Sequence, residues 1–84
     1  MLIEKIKSLL HDQINIIHLE IKDESHKHAN HKQSNGGHFA IIIISNDFMN
    51  VSLINRHKMV YNALDTLIKK EIHAISISAR TAVE

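Results

Sequence analysis

Cysteine is absent from the 84-residue chain, and this absence limits the chemistry that the protein can carry out. Disulfides are excluded, and any bound metal must be held by His, Asp or Glu, or by thiolates from another molecule. A chain of this length buries only about 60% of the surface that its unfolded form exposes. We therefore expect a thin core and no deep catalytic cleft.

Neither sign of charge dominates the sequence. Ten Lys and Arg residues stand against nine Asp and Glu residues, which gives a formal net charge of +1. Proteins that bind a phosphate backbone are usually strongly basic.

The only aromatic residues are two Phe and one Tyr, and no Gly-x-x-Gly loop is present, so the stacking and clamping devices of RNA-binding modules are missing.

Long apolar runs are also missing. No run approaches the roughly 20 residues of a membrane span, and the amphipathic amino terminus lacks the apolar core of a signal peptide. We expect a cytoplasmic protein that does not associate with membranes.

Enzyme motifs are absent too. The chain has no nucleophile turn, no Gly-rich phosphate loop and no His-Glu-x-x-His helix. A zinc hydrolase with histidine ligands is an alternative, but a histidine cluster without a positioned carboxylate base specifies no reaction. The sequence therefore predicts a protein that is not an enzyme.

Hydrophobic periodicity predicts one α+β domain over residues 1–84, with helices on one face of a three-stranded mixed sheet. The run from His38 to Ser45 is apolar throughout, so it predicts a central strand that is buried on both faces. The predicted elements are a helix from Leu2 to about Asp12, a strand over Ile17–Asp23, the strand His38–Ser45, a helix from the Ser52 N-cap to about Lys70, and a strand over Ile72–Ala79.

The strongest periodic signal lies in the second helix. Apolar residues and one histidine follow the spacing of a single helical face, which is predicted to meet the core. These residues are Leu53, Ile54, His57, Tyr61, Leu64 and Ile68, with Val60 and Leu67 at the margin.

The chain contains eight histidines, and four of them lie in or beside one loop. His26, His28, His31 and His38 lie in or beside the polar segment from Glu24 to Gly37. They indicate either a metal site, since histidine is the commonest metal ligand, or a solvated polar loop. His73, at the entrance of the last strand, has the same two interpretations.

Two segments resemble the signature of the BolA family. They are Ser-Leu-Ile-Asn-Arg-His-Lys-Met-Val-Tyr-Asn-Ala-Leu over residues 52–64 and Ile-His-Ala-Ile-Ser-Ile over residues 72–77. The resemblance implies an αββααβ fold related to the type II KH fold. It also implies that the second helix is split in two. Asn50 stands where the family has glycine, and the longer tail of some members does not follow Glu84.

The resemblance further implies a metal centre shared with another protein. In BolA-like proteins, a histidine at the start of the last strand and a His or Cys in the hairpin loop bind a [2Fe-2S] cluster together with a monothiol glutaredoxin and its glutathione. His73 matches the first ligand. His28, in a segment that resembles Glu-Ser-x-x-His, matches the second, and His38 is the further candidate. By itself the chain is expected to be a monomer or a weak homodimer.

DNA is the alternative partner. Arg56 and Lys58 can begin a recognition helix that touches phosphates, in keeping with a KH-like transcriptional regulator. Otherwise the same residues are expected on an ordinary solvated helix face, with His57 packed between Ile54 and Tyr61.

Overall fold

The structure is a computed structural model that describes residues 2–24 and 37–84, with His73 described through its backbone alone. The elements in the described part are α1 (Leu2–Gln13), β1 (His18–Asp23), β2 (Gly37–Ile44), a 3₁₀ helix (Asn46–Phe48), α2 (Leu53–Ala63), α3 (Asp65–Ile68) and β3 (Ile72–Arg80). This order confirms the predicted α+β class and the αββααβ arrangement. No helix in these ranges is long and apolar enough to cross a membrane.

β2 is the central strand of a three-stranded mixed sheet. It pairs antiparallel to β1 and parallel to β3, so that Ile41 lies opposite both Ile21 and Ile77. Parallel neighbours require a crossover connection, and α2 and α3 lie within it. Both β1 and β3 are therefore edge strands in the described part of the sheet.

The core lies between the helices and one face of the sheet. On that face, alternate residues of β2 are buried, whereas Ile42 on the opposite face is 36% exposed. The prediction that this strand is buried on both faces was wrong, because the described helices cover only one face. The core residues are Ile6, Leu10, Ile14, Phe39, Ile41, Ile43, Phe48, Val60, Leu64, Leu67, Ile72 and Ala79.

The turn before α2 contains a residue with a left-handed backbone conformation. Asn50 has a φ of 62°, which lies in the left-handed region that Asn tolerates better than most residues. The Ser52 hydroxyl then accepts a hydrogen bond from the Asn55 N–H at 3.2 Å, which confirms the predicted N-cap.

The second helix is split at Leu64, as the family resemblance implies and the periodicity does not. Leu64 has φ −102° and ψ 11°, and its N–H bonds to the carbonyls of both Val60 and Tyr61. Leu64 is completely buried, and neither Pro nor Gly marks the position. Core packing around Leu64, rather than a helix-breaking residue, accompanies the split.

α2 buries a different face from the predicted one. Arg56 and Val60 are buried, in line with Leu64 and Leu67 further along. The outer members of the predicted stripe are exposed, namely Leu53, Ile54 and Tyr61 at 68%, 66% and 42%. The prediction was wrong for these residues, because the face that meets the sheet is rotated about the helix axis and includes a charged side chain.

Two Leu→Ala variants distinguish the observed face from the predicted one. Leu64→Ala should lower the free energy of unfolding by about 2–5 kcal/mol, because it leaves a cavity in the core. Leu53→Ala should change that free energy by no more than about 0.5 kcal/mol, because Leu53 is mostly exposed. Urea denaturation measures both, and equal losses would contradict the observed orientation of α2.

Candidate functional site

His38 and His73 occupy neighbouring backbone positions at one end of the sheet. β2 and β3 run parallel, so both strands begin at this end, and His38 lies opposite Ala74, the residue after His73. Adjacent strands are separated by about 4.8 Å. Two of the three predicted metal ligands therefore come from adjacent positions on neighbouring strands.

A β-bulge lies at His73. Gly37 is opposite Ile72 and His38 is opposite Ala74, which leaves His73 as the extra residue of β3. The extra residue of a bulge does not take part in the regular ladder, and bulges are frequent beside functional sites. Ile72 is buried directly before the bulge. The bulge thus separates the core-packed start of β3 from the rest of the strand.

Two backbone hydrogen bonds fix the ends of the histidine-rich loop at the same place. The Glu24 N–H donates to the His38 carbonyl at 2.7 Å, and the Gly37 N–H donates to the Glu71 carbonyl at 3.1 Å. His28, the matched loop ligand, lies outside the described residues, as do His26 and His31. The chain that carries them starts and ends beside His38.

Gly37 is required for close packing at this end of the sheet. A Cβ atom there would lie 2.1 Å from the ring of Phe39, which is only 3% exposed. Any larger residue would force the buried ring to move, and Phe39 directly follows His38. Gly37 therefore leaves room for this ring at the position directly before His38.

The open side of the sheet beside His38 contains a shallow cavity of about 140 Å³. Glu24, His38, Ala74 and Ser76 are among its lining residues. Within the described ranges, no group of three or more His, Cys, Asp or Glu side chains is arranged to hold a metal ion. This end of the sheet can offer imidazole, but these ranges contain no complete metal site.

Arg56 was expected on a solvated helix face, and this is wrong. Its guanidinium is buried and donates to the Val51 carbonyl at 2.8 Å and to the Ala79 carbonyl at 3.1 Å. It also pairs with both carboxylate oxygens of Glu84, at 2.5 and 2.9 Å. In this arrangement Arg56 is not accessible to a phosphate, whereas Lys58 is exposed.

The pair formed by Arg56 and Glu84 is a site that the sequence patterns did not reveal. The hydrogen bonds from Arg56, followed by the Thr81 N–H, lower the pKa of the Glu84 carboxyl from 4.5 to about 2. Hydrogen bonding to Glu84 raises the pKa of Arg56. The one signal in the sequence was the four-residue spacing that aligns Arg56 with Val60 and Leu64.

This pair should make stability depend on acidity. The carboxylate stabilises the fold at pH values above 4.5, and the contribution is lost as the pH falls towards 2, because the folded pKa is lower than the unfolded one. Glu84→Gln should therefore lower the urea midpoint at pH 7, and the difference from wild type should shrink between pH 4.5 and 2.

The matched control is Glu71→Gln, which removes an exposed ion pair with Lys5. It should change the urea midpoint little, since exposed pairs contribute little to stability. A Glu84→Gln difference that stays constant down to pH 2 would contradict this role of the carboxylate.

The fold and the site define a small α+β domain in which the described helices leave one sheet face open and two histidine positions lie at one end of the parallel strand pair. A family model described as "BolA-like protein" matches residues 10–84. The chain therefore belongs to the BolA-like family, and the resemblance seen in its sequence is confirmed.

Relatives of the chain include bacterial and plant proteins. An uncharacterized protein of Buchnera aphidicola is 42% identical over 100% of this chain and 80% of its own length. The DNA-binding transcriptional regulator BolA of Escherichia coli is 30% identical over 100% of this chain and 79% of its own length. SufE-like protein 1 of Arabidopsis thaliana is 33% identical, and this chain spans only 24% of that protein.

Solved structures show the same fold. BolA1 from Arabidopsis thaliana superposes with a TM-score of 0.84 at 30% identity, covering 96% of this chain and 92% of that one. The BolA domain of SufE1 from the same plant superposes with a TM-score of 0.85 at 34% identity, covering 95% and 91%.

Proposed function

We propose that the protein is a non-enzymatic partner of a monothiol glutaredoxin, and that the two share a [2Fe-2S] cluster for cluster delivery or for iron and redox regulation. The observation that carries this proposal is the juxtaposition of the His38 and His73 backbone positions at one end of the sheet. The loop that bears His28 begins and ends at that same place, in a chain without cysteine.

The donors at this end of the sheet fit such a cluster. Imidazole is a suitable ligand for iron, and two histidines on one iron occur in known cluster proteins. His73 would be one ligand, and His28 or His38 would be the other. Thiolates must come from the partner because this chain has none. When bound, a cluster with histidine ligands supplies a raised potential and a ligand that can protonate near neutral pH.

The backbone around the histidines supports their presentation to a partner. The bulge takes His73 out of the regular ladder between β2 and β3. The hydrogen bond from the Glu24 N–H to the His38 carbonyl ties the His38 backbone to the end of β1, and Gly37 leaves room for the Phe39 ring beside it.

Histidine substitutions test this proposal directly. Mixed with a monothiol glutaredoxin, iron, sulfide and glutathione, the protein should give a visible spectrum distinct from that of the glutaredoxin homodimer. His73→Ala should abolish the difference, because it removes one iron ligand. The second ligand is identified by measuring His28→Ala and His38→Ala separately. The histidine whose substitution alters the spectrum is the ligand.

The matched control is His18→Ala. His18 also begins a strand, but it lies opposite Ile44 at the other end of the sheet, where its Nε2 is 2.8 Å from a Glu20 carboxylate oxygen. This variant should keep the wild-type spectrum. An unchanged spectrum on mixing the wild-type proteins, with no complex on gel filtration, would refute the proposal.

A second candidate function is DNA binding. It is favoured by the E. coli relative, whose name describes a DNA-binding transcriptional regulator. Since the Arg56 guanidinium is engaged by Glu84, Lys58 is the one of the two predicted contacts that is exposed to a phosphate.

Salt dependence tests this second function. If Lys58 meets a phosphate, the affinity for duplex DNA should fall as salt rises, and Lys58→Gln should reduce the slope of log K against log salt by about one unit. Fluorescence anisotropy of labelled duplex measures both quantities. The control is Lys22→Gln on β1, which should keep the wild-type slope. An unaltered slope in Lys58→Gln would exclude the contact between Lys58 and phosphate.

A further inference from the structure

The outer edge of β3 is long and lacks the charged residues that commonly protect an edge strand. β3 runs for nine residues, and between His73 and Arg80 it contains only alanine, isoleucine and serine. β1, the other edge, carries His18, Glu20, Lys22 and Asp23 within six residues. Charged side chains discourage pairing with another chain at an edge, so β3 is the edge that is open to an added strand.

The direction of the backbone shows which groups this edge presents. The Ser45 N–H donates to the Arg80 carbonyl, so Arg80 and alternate residues before it turn their polar backbone groups towards β2. Ile75, Ile77 and Ala79 therefore turn theirs outward. The Ala79 carbonyl accepts from Arg56, which places a side-chain donor at the end of the row. In the described sheet, no strand pairs with this outer row.

A groove of about 670 Å³ lies beside this row, between β3 and the start of α2. On the helix side its wall includes Leu53, which is 68% exposed, and the half-buried His57. On the strand side it includes Ile77 and Arg80. The groove thus combines a backbone edge, an apolar wall and a cation.

The charges of the groove favour an acidic occupant. Glu84 is the one carboxylate among the lining residues, and both of its oxygens are bound by Arg56. Arg80 is exposed, and its Nε donates to the neutral Ser78 hydroxyl at 3.2 Å. The uncompensated charge of the lining is therefore positive.

Side chains of a strand added to this edge would alternate between two surroundings. Those beside Ile77 would face the layer of α2 and contact Leu53, and those in between would lie on the open face near Arg80. We propose that the groove binds an extended segment of a partner protein as a fourth strand, with apolar residues facing α2 and acidic residues facing Arg80.

Other occupants fit the groove less well. A second copy of β3 would bring no carboxylate to Arg80, because β3 contains no acidic residue. A single-stranded nucleic acid would lack stacking partners, because none of the lining residues is Phe, Tyr or Trp. The groove also lies towards the end of β3 that is remote from His73, so this inference does not depend on the metal site.

Peptide titration of the ¹⁵N-labelled protein tests the inference. The probe is a short acetylated peptide that alternates valine and glutamate, and its binding should shift the amide resonances of Ile75, Ile77 and Ala79. N-methylation of the peptide amides that face β3 should abolish the shifts, because the backbone ladder cannot then form. Equal binding of the methylated peptide, or shifts confined to other amides, would overturn the proposal.

Charge exchange gives a sharper test of the acidic preference. Arg80→Glu should weaken binding of the valine–glutamate peptide roughly tenfold, because a charge-assisted hydrogen bond is lost. The same variant should bind a valine–lysine peptide better than wild type does. Lys22→Glu, on the opposite edge, is the control that should leave both affinities unchanged, and an equal effect of the two variants would contradict a role for Arg80.

A pair of exposed apolar residues tests the helix wall. Leu53→Ser should weaken peptide binding, whereas Ile54→Ser should not, because Ile54 is 66% exposed but does not line the groove. Formation of the cluster with the glutaredoxin should survive Leu53→Ser and Arg80→Glu, which separates failure at the groove from failure at the histidines. If the same amide resonances moved when the protein was diluted without peptide, the groove would bind a second copy of the chain. If a short oligonucleotide gave larger shifts than the peptide, the groove would bind nucleic acid. Either result would overturn the proposal.

Discussion

The parallel pairing of β2 with β3 is the constraint on which the rest of the structure depends. Parallel strands begin at the same end of a sheet, so the backbone positions of His38 and His73 are neighbours although 34 residues separate them in the sequence. The crossover between the two strands brings α2 and α3 onto one face, where they share the core with α1. The same pairing leaves β3 at the edge of the sheet. An antiparallel pairing would have placed the two histidines at opposite ends.

Arg56 connects three parts of the chain at the other end of β3. One guanidinium bonds to the turn before α2 through Val51, to the last part of β3 through Ala79, and to Glu84. A buried cation is costly unless its donors are satisfied, and here two carbonyls and a carboxylate accept four hydrogen bonds from the five N–H groups of Arg56. The face of Phe48 lies 5.9 Å from the guanidinium, which adds a favourable aromatic contact. The packing of α2 against the sheet therefore includes a polar contact as well as apolar ones.

The two ends of β3 offer different chemistry. The entrance combines a bulge, His73 and the base of the histidine-rich loop, which suits a ligand that binds imidazole. The far end combines an open backbone row, the exposed Leu53 and Arg80, which suits a polypeptide. Because one strand carries both ends, a partner that contacts the entrance and pairs along the edge would meet both surfaces in a single orientation.

The sequence by itself determined the α+β class, the order of the elements and the Ser52 N-cap. These features follow from local periodicity and from backbone preferences that neighbouring residues express. Three predictions were wrong: the single long helix, the central strand buried on both faces, and the core-facing stripe of Leu53, Ile54 and Tyr61. The stripe was wrong because periodicity shows that a helix has an apolar face but not which face meets the sheet. Only the tertiary structure decided that Arg56 is buried, since its partner Glu84 lies 28 residues away. The juxtaposition of His38 and His73 was likewise decided by strand pairing, which joins residues that no local pattern connects.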